Sequence, residues 1–317
     1  MPSDVVLETA PIGFQWPTID PFLFCVHHKD AYPKGDARMA PDPSYLAGRQ
    51  LGSDFKLKDG FRMYHGRVIP GFPSHPHRGF ETLTLARSGY IDHSDSLGAK
   101  ARFGHGDAQW MTAGRGIMHS EMFPLVNTER DNPAELFQIW INLPAEDKMV
   151  PAHFKMLWGE GIPVHTFTDG KGATTTVTTV AGTLDGRSPP SPPPHSWASR
   201  PEAGIAVWTI RLDRGASWTL PAGPADAQRL LYVFEGDAVQ VGGTSVSAPR
   251  VARVQPGQAV ELVNGKAEAE ILMLQGRPIG EPVARRGPFV MNTKQEIAQA
   301  FEDYRRTRFG GWPWPHD

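Results

Sequence analysis

The chain has 317 residues and a formal net charge of −2, which is length enough for two ordinary domains and no charge excess that would suggest a nucleic acid or a membrane surface as partner. Glycine and proline supply 33 and 30 residues, a share that favours many short strands joined by turns over long helices. The single cysteine, Cys25, excludes an intramolecular disulfide, and its setting Phe22-Leu-Phe-Cys-Val26 reads as apolar packing.

The opening stretch Met-Pro-Ser-Asp-Val-Val-Leu-Glu lacks a basic start followed by an apolar core, and no apolar run approaches the roughly 20 residues that span a bilayer. A cytoplasmic protein is expected. From about Phe22 to Leu143 the pattern is strand, turn, strand. Counting in twos from His75 places His77, Gly79, Glu81, Leu83 and Leu85 on one face, provided no bulge intervenes. Turn signals follow at Arg87-Ser-Gly89, Ser96-Leu-Gly98 and Gly104-His-Gly-Asp107, and Phe137–Leu143 reads as a strand ended by Pro144.

Two stretches carry chemistry. In Gly71-Phe-Pro-Ser-His75-Pro-His77, and again in Ile117-Met-His119-Ser-Glu121, two metal-ligand types stand two residues apart. Side chains two apart on a strand project from the same face, so each pair can hold one ion. Three imidazoles and one carboxylate suit a divalent transition metal and leave positions open for water or substrate. His75, His77, His119 and Glu121 are therefore the expected ligands. Around them, Trp110 and Met111 read as core, and the glycines of Ala113-Gly-Arg-Gly116 read as turn formers rather than a phosphate cradle. His27 and His28 are expected to pack or line a mouth. His93, His105, His153, His165, His195 and His316 have no partner at ligand spacing and are expected at the surface or in turns.

A domain boundary is expected near Val150, dividing the chain into 1–150 and 151–317. The second half repeats the style of the first, with strand candidates at Thr174–Val180, Ala206–Leu212, Leu230–Phe234 and Ala269–Leu274. Its turns at Glu235-Gly236-Asp237 and Pro256-Gly257-Gln258 answer Gly89 and Gly106-Asp107, so two barrels of similar plan are expected. The ligand positions carried across fall near Ala222, Pro224 and Glu270, and no metal is expected there. Ser188–Pro194 is a proline-rich loop, read as a stiff solvated excursion or a docking segment. A helix should begin at the capping box Thr293-Lys-Gln-Glu296, bury Ile297, Ala300, Phe301 and Tyr304, and stop at Gly310-Gly311.

The ordered set His75–Thr82, Asp107–Met122, Phe137–Pro144, Gly276–Val283 and Gly287–Thr293, spread over most of the chain, resembles the pirin family of the cupin superfamily. The resemblance implies an all-β protein of two stacked cupin-type antiparallel β-barrels with a short C-terminal helix. It also implies one non-haem iron, Fe(II), in the N-terminal barrel on His75, His77, His119 and Glu121. Other divalent metals would suit the same donors. Glu81 stands where broader cupins often place a ligand, and with Glu121 it is a candidate for proton handling. Several family members act as quercetin 2,3-dioxygenases, which implies O₂ and a flavonol-like substrate. Others are described as regulators of transcription or metabolic enzymes, which implies a protein partner. No basic stripe points to nucleic acid, and a monomer is expected, since two barrels on one chain can cover each other's apolar surface.

Overall fold

Residues 5–315 are described by a computed structural model of the chain. His316 lies outside them. Among these residues strands dominate, and the one α-helix, Lys294–Thr307, lies near the C-terminus. The chain divides into two compact units, each assembled from two segments: Met1–Cys25 with Glu160–Gly280, and Val26–Gly159 with Glu281–Asp317.

In the first unit a seven-stranded antiparallel sheet accompanies a four-stranded one. Alternation does the work: on Ala206–Leu212 the residues Ala206, Trp208, Ile210 and Leu212 enter the core, where they meet Leu231, Val233, Ile271 and Met273 from the neighbouring strands. The edge of the large sheet is the strand Val6–Pro11, which pairs with Arg250–Val254 some 240 residues away in sequence. The expected division into 1–150 and 151–317 leaves this exchange out. A local pattern does not reveal a pairing whose two partners lie at opposite ends of the chain.

The second unit contains a five-stranded sheet and a four-stranded sheet. The five-stranded sheet carries Phe80–Ser88 beside Asn132–Asn142 and Ala108–Thr112. The four-stranded sheet carries Gly71–His77, Ile117–Met122, Tyr90–Asp95 and Lys100–Gly104. One end of the core is aromatic, built on Tyr32, Phe61, Tyr64, Phe103 and Phe123. The C-terminal segment belongs here too. A short hairpin, Ala284–Arg286 with Phe289–Met291, and the helix after it share a cluster of Phe289, Met291, Ile297 and Ala300.

The capping box forms as read: Glu296 N–H donates to the Thr293 hydroxyl, and the Glu296 carboxylate accepts from Thr293 N–H. The helix ends three residues before the expected glycines, because Arg308 and Phe309 themselves take left-handed backbone angles, φ 49° and 47°. Ser188–Pro194 has no regular structure.

Candidate metal centre

His75 faces His119 directly across the pairing of Gly71–His77 with Ile117–Met122, and the ladder continues from His119 to Asp95 and from Glu121 to His93. Residues opposite one another in a ladder share a face. One sheet face therefore presents His75, His77, His119, Glu121, His93 and Asp95 together.

The histidines converge. Ligand nitrogens of His75, His77 and His119 all lie within 4.8 Å of one another, the one such group of three or more donor side chains among the described residues. Ring centroids are 4.4 Å apart for His75 and His119, 4.9 Å for His77 and His119, and 4.7 Å for His75 and His77. Metal–nitrogen bonds of about 2.0–2.1 Å fit inside such a group.

Proton placement argues for a cation. His75 Nδ1 lies 2.8 Å from the Pro73 carbonyl, and His77 Nδ1 lies 3.4 Å from the Pro288 carbonyl. A carbonyl only accepts, so an Nδ1 that makes such a bond carries hydrogen, which in a neutral ring leaves the lone pair on Nε2. The two Nε2 atoms sit 3.1 Å apart. Lone pairs there repel unless a proton or a metal ion lies against them. His119 is fully buried, and neither ring nitrogen has a hydrogen-bond partner. Burial first, then the adjacent imidazoles, holds His77 and His119 well below the usual histidine range, so both are neutral and able to ligate. The donor set thus fits a divalent first-row metal.

Glu121 stands beside the cluster but outside it. Thr84 Oγ1 donates to its Oε1 at 2.8 Å and Gln138 Nε2 donates to its Oε2 at 2.7 Å. Thr84 and Gln138 are themselves paired across two strands of the five-stranded sheet, so the carboxylate bridges the two sheets. Burial raises the Glu121 carboxyl above its usual range, against the lowering pull of the Thr84 and Gln138 bonds.

The expected common face for His75 and Glu81 does not form. The first strand ends at His77, Gly79 takes φ +82°, and a new strand starts at Phe80 in the other sheet. The break exchanges the faces. Thr84, rather than Glu81, meets Glu121, while the fully buried Glu81 accepts from Thr112 Oγ1 at 2.6 Å.

His93 corrects another expectation. It is buried, stacked on Phe154 at 4.5 Å and set 5.5 Å from His119, with Nε2 3.0 Å from Asp95 Oδ2. Asp95 is anchored in turn by N–H groups of Leu97 and Ala99. The spacing of His93 and Asp95, two apart, was the signal available in sequence. His165 is also buried rather than exposed, in the other unit, whereas His105 occupies a turn at φ +50° and His195 is exposed. His27 packs as expected, stacked on Phe137 at 4.6 Å with Nε2 2.9 Å from Glu135, and His28 lies edge-on to Tyr64. Cys25 is fully buried and its thiol is pushed far up by burial, which suppresses thiolate chemistry.

Aromatic rings flank the histidines. Phe80 and Trp140 lie 5.0 Å and 5.4 Å from His77, and Phe72 lies 6.5 Å from His75. Phe72, His75 and Trp140 are only partly buried, so this edge of the site meets solvent. A cavity of about 370 Å³ lined by Tyr32, Tyr90, His105 and Phe123 holds none of the three histidines.

Residues 14–141 match the family described as Pirin, and residues 207–310 match the Pirin C-terminal cupin domain. A protein of Pseudomonas aeruginosa named putative quercetin 2,3-dioxygenase is 36% identical over 239 residues, 75% of this chain and 79% of its own. A pirin-like protein of Caulobacter vibrioides is 37% identical over 76% of this chain and 81% of its own, and the pirin of Rattus norvegicus is 34% identical over 82% and 85%. The crystal structure of quercetin 2,3-dioxygenase from Acinetobacter baumannii superposes with a TM-score of 0.69 at 27% identity, covering 96% of this chain and 98% of that one.

Proposed function

Because the chain belongs to the pirin family, we propose that it is a metal-dependent dioxygenase of the quercetin 2,3-dioxygenase type, with Fe(II) held by His75, His77 and His119. The observation that carries the reading is the convergence of His75, His77 and His119, with neither ring nitrogen of the buried His119 hydrogen-bonded, beside an edge where Phe72 and Trp140 meet solvent. A planar polyphenol matches those walls, and its acidic enol matches the metal. Relatives named for quercetin cleavage support the same substrate class.

When bound, the metal supplies Lewis acidity that acidifies a ligating hydroxyl, and a centre at which substrate and O₂ meet. The protein does the rest. Phe72 and Trp140 place the rings of the substrate and keep water from the reacting carbons, and the fully buried Phe80 backs Trp140 at 4.4 Å. Glu121 takes the proton of the 3-hydroxyl: its carboxylate is poised by Thr84 and Gln138, and burial makes it a stronger base than a surface glutamate. Glu121 joins the three histidines as a ligand when one of those two bonds exchanges for the metal. Glu81, bonded to Thr112, is assigned to holding the neighbouring strand, with proton handling left to Glu121.

In iron-loaded protein, Glu121→Gln should lower quercetin turnover by roughly 10²- to 10⁴-fold, the range of a lost general base. Flavonol binding followed by fluorescence should change far less. Undiminished turnover in a fully loaded variant removes Glu121 as the base.

A further inference from the structure

The helix and hairpin at the C-terminus read most simply as packing. Their polar contacts point elsewhere. We propose that the segment Ala284–Trp314 is a positioning element for the histidine centre, one that fixes the ring of His77 and braces the strands bearing the other ligands. The inference rests on the reading of His75, His77 and His119 as metal ligands.

The acceptor of the His77 Nδ1–H is the Pro288 carbonyl, at the turn of the hairpin. A ligating imidazole is oriented by the group that its second nitrogen donates to, and loss of that group weakens metal binding by about 10- to 100-fold. Pro288 is held in place by what surrounds it. Its carbonyl also accepts from Arg78 N–H, and Val290 N–H donates to the Arg78 carbonyl, so the hairpin runs along the residue next to His77. Gly79 permits the approach: a Cβ there would stand 2.0 Å from the Val290 carbonyl oxygen. Phe289, fully buried, is the anchor, set against Phe301, Tyr304 and Phe309 at ring distances of 4.8, 6.1 and 5.8 Å.

The side chain of Arg78 ties the same region to the helix. Its Nη1 donates to Asp303 Oδ2 at 2.8 Å, its Nε to the Arg115 carbonyl at 2.7 Å, and its guanidinium covers the Phe309 ring at 4.6 Å. Phe309 presses on Gly116, three residues before His119, where a Cβ would come within 2.6 Å of the ring. Trp314 Nε1 donates to the Asp95 carbonyl, and Asp95 stands opposite His119 in the ladder. Each of the three strands that carry the cluster and its neighbours is thus contacted near the ligand.

The test uses the full-length chain and Co(II), with affinity from chelator competition and geometry from the d–d absorption. Stability of the metal-free protein is measured alongside. Asp303→Asn and Phe289→Ala should weaken Co(II) binding by about 10- to 100-fold and alter the absorption bands, and Asp303→Glu should restore much of the loss. Leu136→Ala is the control: a buried core change in the same unit, away from the segment, which should lower stability yet keep affinity within about twofold of wild type. Wild-type affinity and bands in Phe289→Ala, or losses matched by Leu136→Ala at equal stability, would overturn the proposal. Failure of the wild-type chain to bind Co(II) is a separate result, since it removes the ligand assignment itself.

Discussion

A buried imidazole with neither nitrogen bonded, as in His119, leaves a donor and an acceptor desolvated, at about 1–3 kcal/mol for each such group. The metal-free protein carries that burden, and a bound metal relieves the acceptor's share of it. Replacing His119 by phenylalanine should therefore leave the metal-free protein as stable as wild type or more so, while tight binding of a divalent metal is lost. Thermal melts in chelator and a Co(II) titration read the two effects separately. At this scale the sequence was informative where spacing alone decides: His75 with His77, and His119 with Glu121, each lie on one strand face. It was silent on the Glu121 carboxylate, because the groups that hold it, Thr84 and Gln138, come from another sheet, 37 and 17 residues away. Glu81 was misplaced for a local reason, the break at Gly79 between His77 and Phe80.

Among the elements, the C-terminal helix ties its own stability to pH. Asp303 is hydrogen-bonded first by Arg78 and then by Arg306 and Gln299, which lower its carboxyl from 3.8 to about 2. A carboxylate depressed in the folded state contributes stability above its unfolded value and loses it as pH falls through the folded one. The stability gap between wild type and Asp303→Asn should be constant above about pH 5 and should shrink between about pH 4 and pH 2. Urea unfolding across that range checks it, and a gap independent of pH would mean the ion pair contributes nothing. The helix was legible from its capping box, since both partners lie within four residues. Its stop was not, because Arg308 and Phe309 adopt left-handed angles that their residue types do not announce.

Across the molecule, two barrels of one plan were readable from the turns at Gly89 and Gly236, both with positive φ. The exchange of terminal segments was hidden, since Val6–Pro11 and Glu281–Asp317 join units distant in sequence. That assignment has a consequence for metal binding. A metal at 100 times its dissociation constant stabilises by about 2.7 kcal/mol only the structure that binds it. Hydrogen exchange should slow within Val26–Gly159 and Glu281–Asp317, including the hairpin and helix, and should stay unchanged through Glu160–Gly280. Slowing confined to residues before Gly159 would detach the C-terminal segment from the site. No helix among the described residues is long and apolar enough to cross a membrane.

Dioxygenase activity is tested most directly by anaerobic loading of the chain with one equivalent of Fe(II), followed by O₂ uptake and carbon monoxide release with quercetin. Quercetin-dependent O₂ consumption with matching carbon monoxide is expected, lost together in His75→Ala and His119→Ala. A fully loaded protein that consumes no O₂ with quercetin, or one whose activity survives loss of both histidines, would contradict the proposed function.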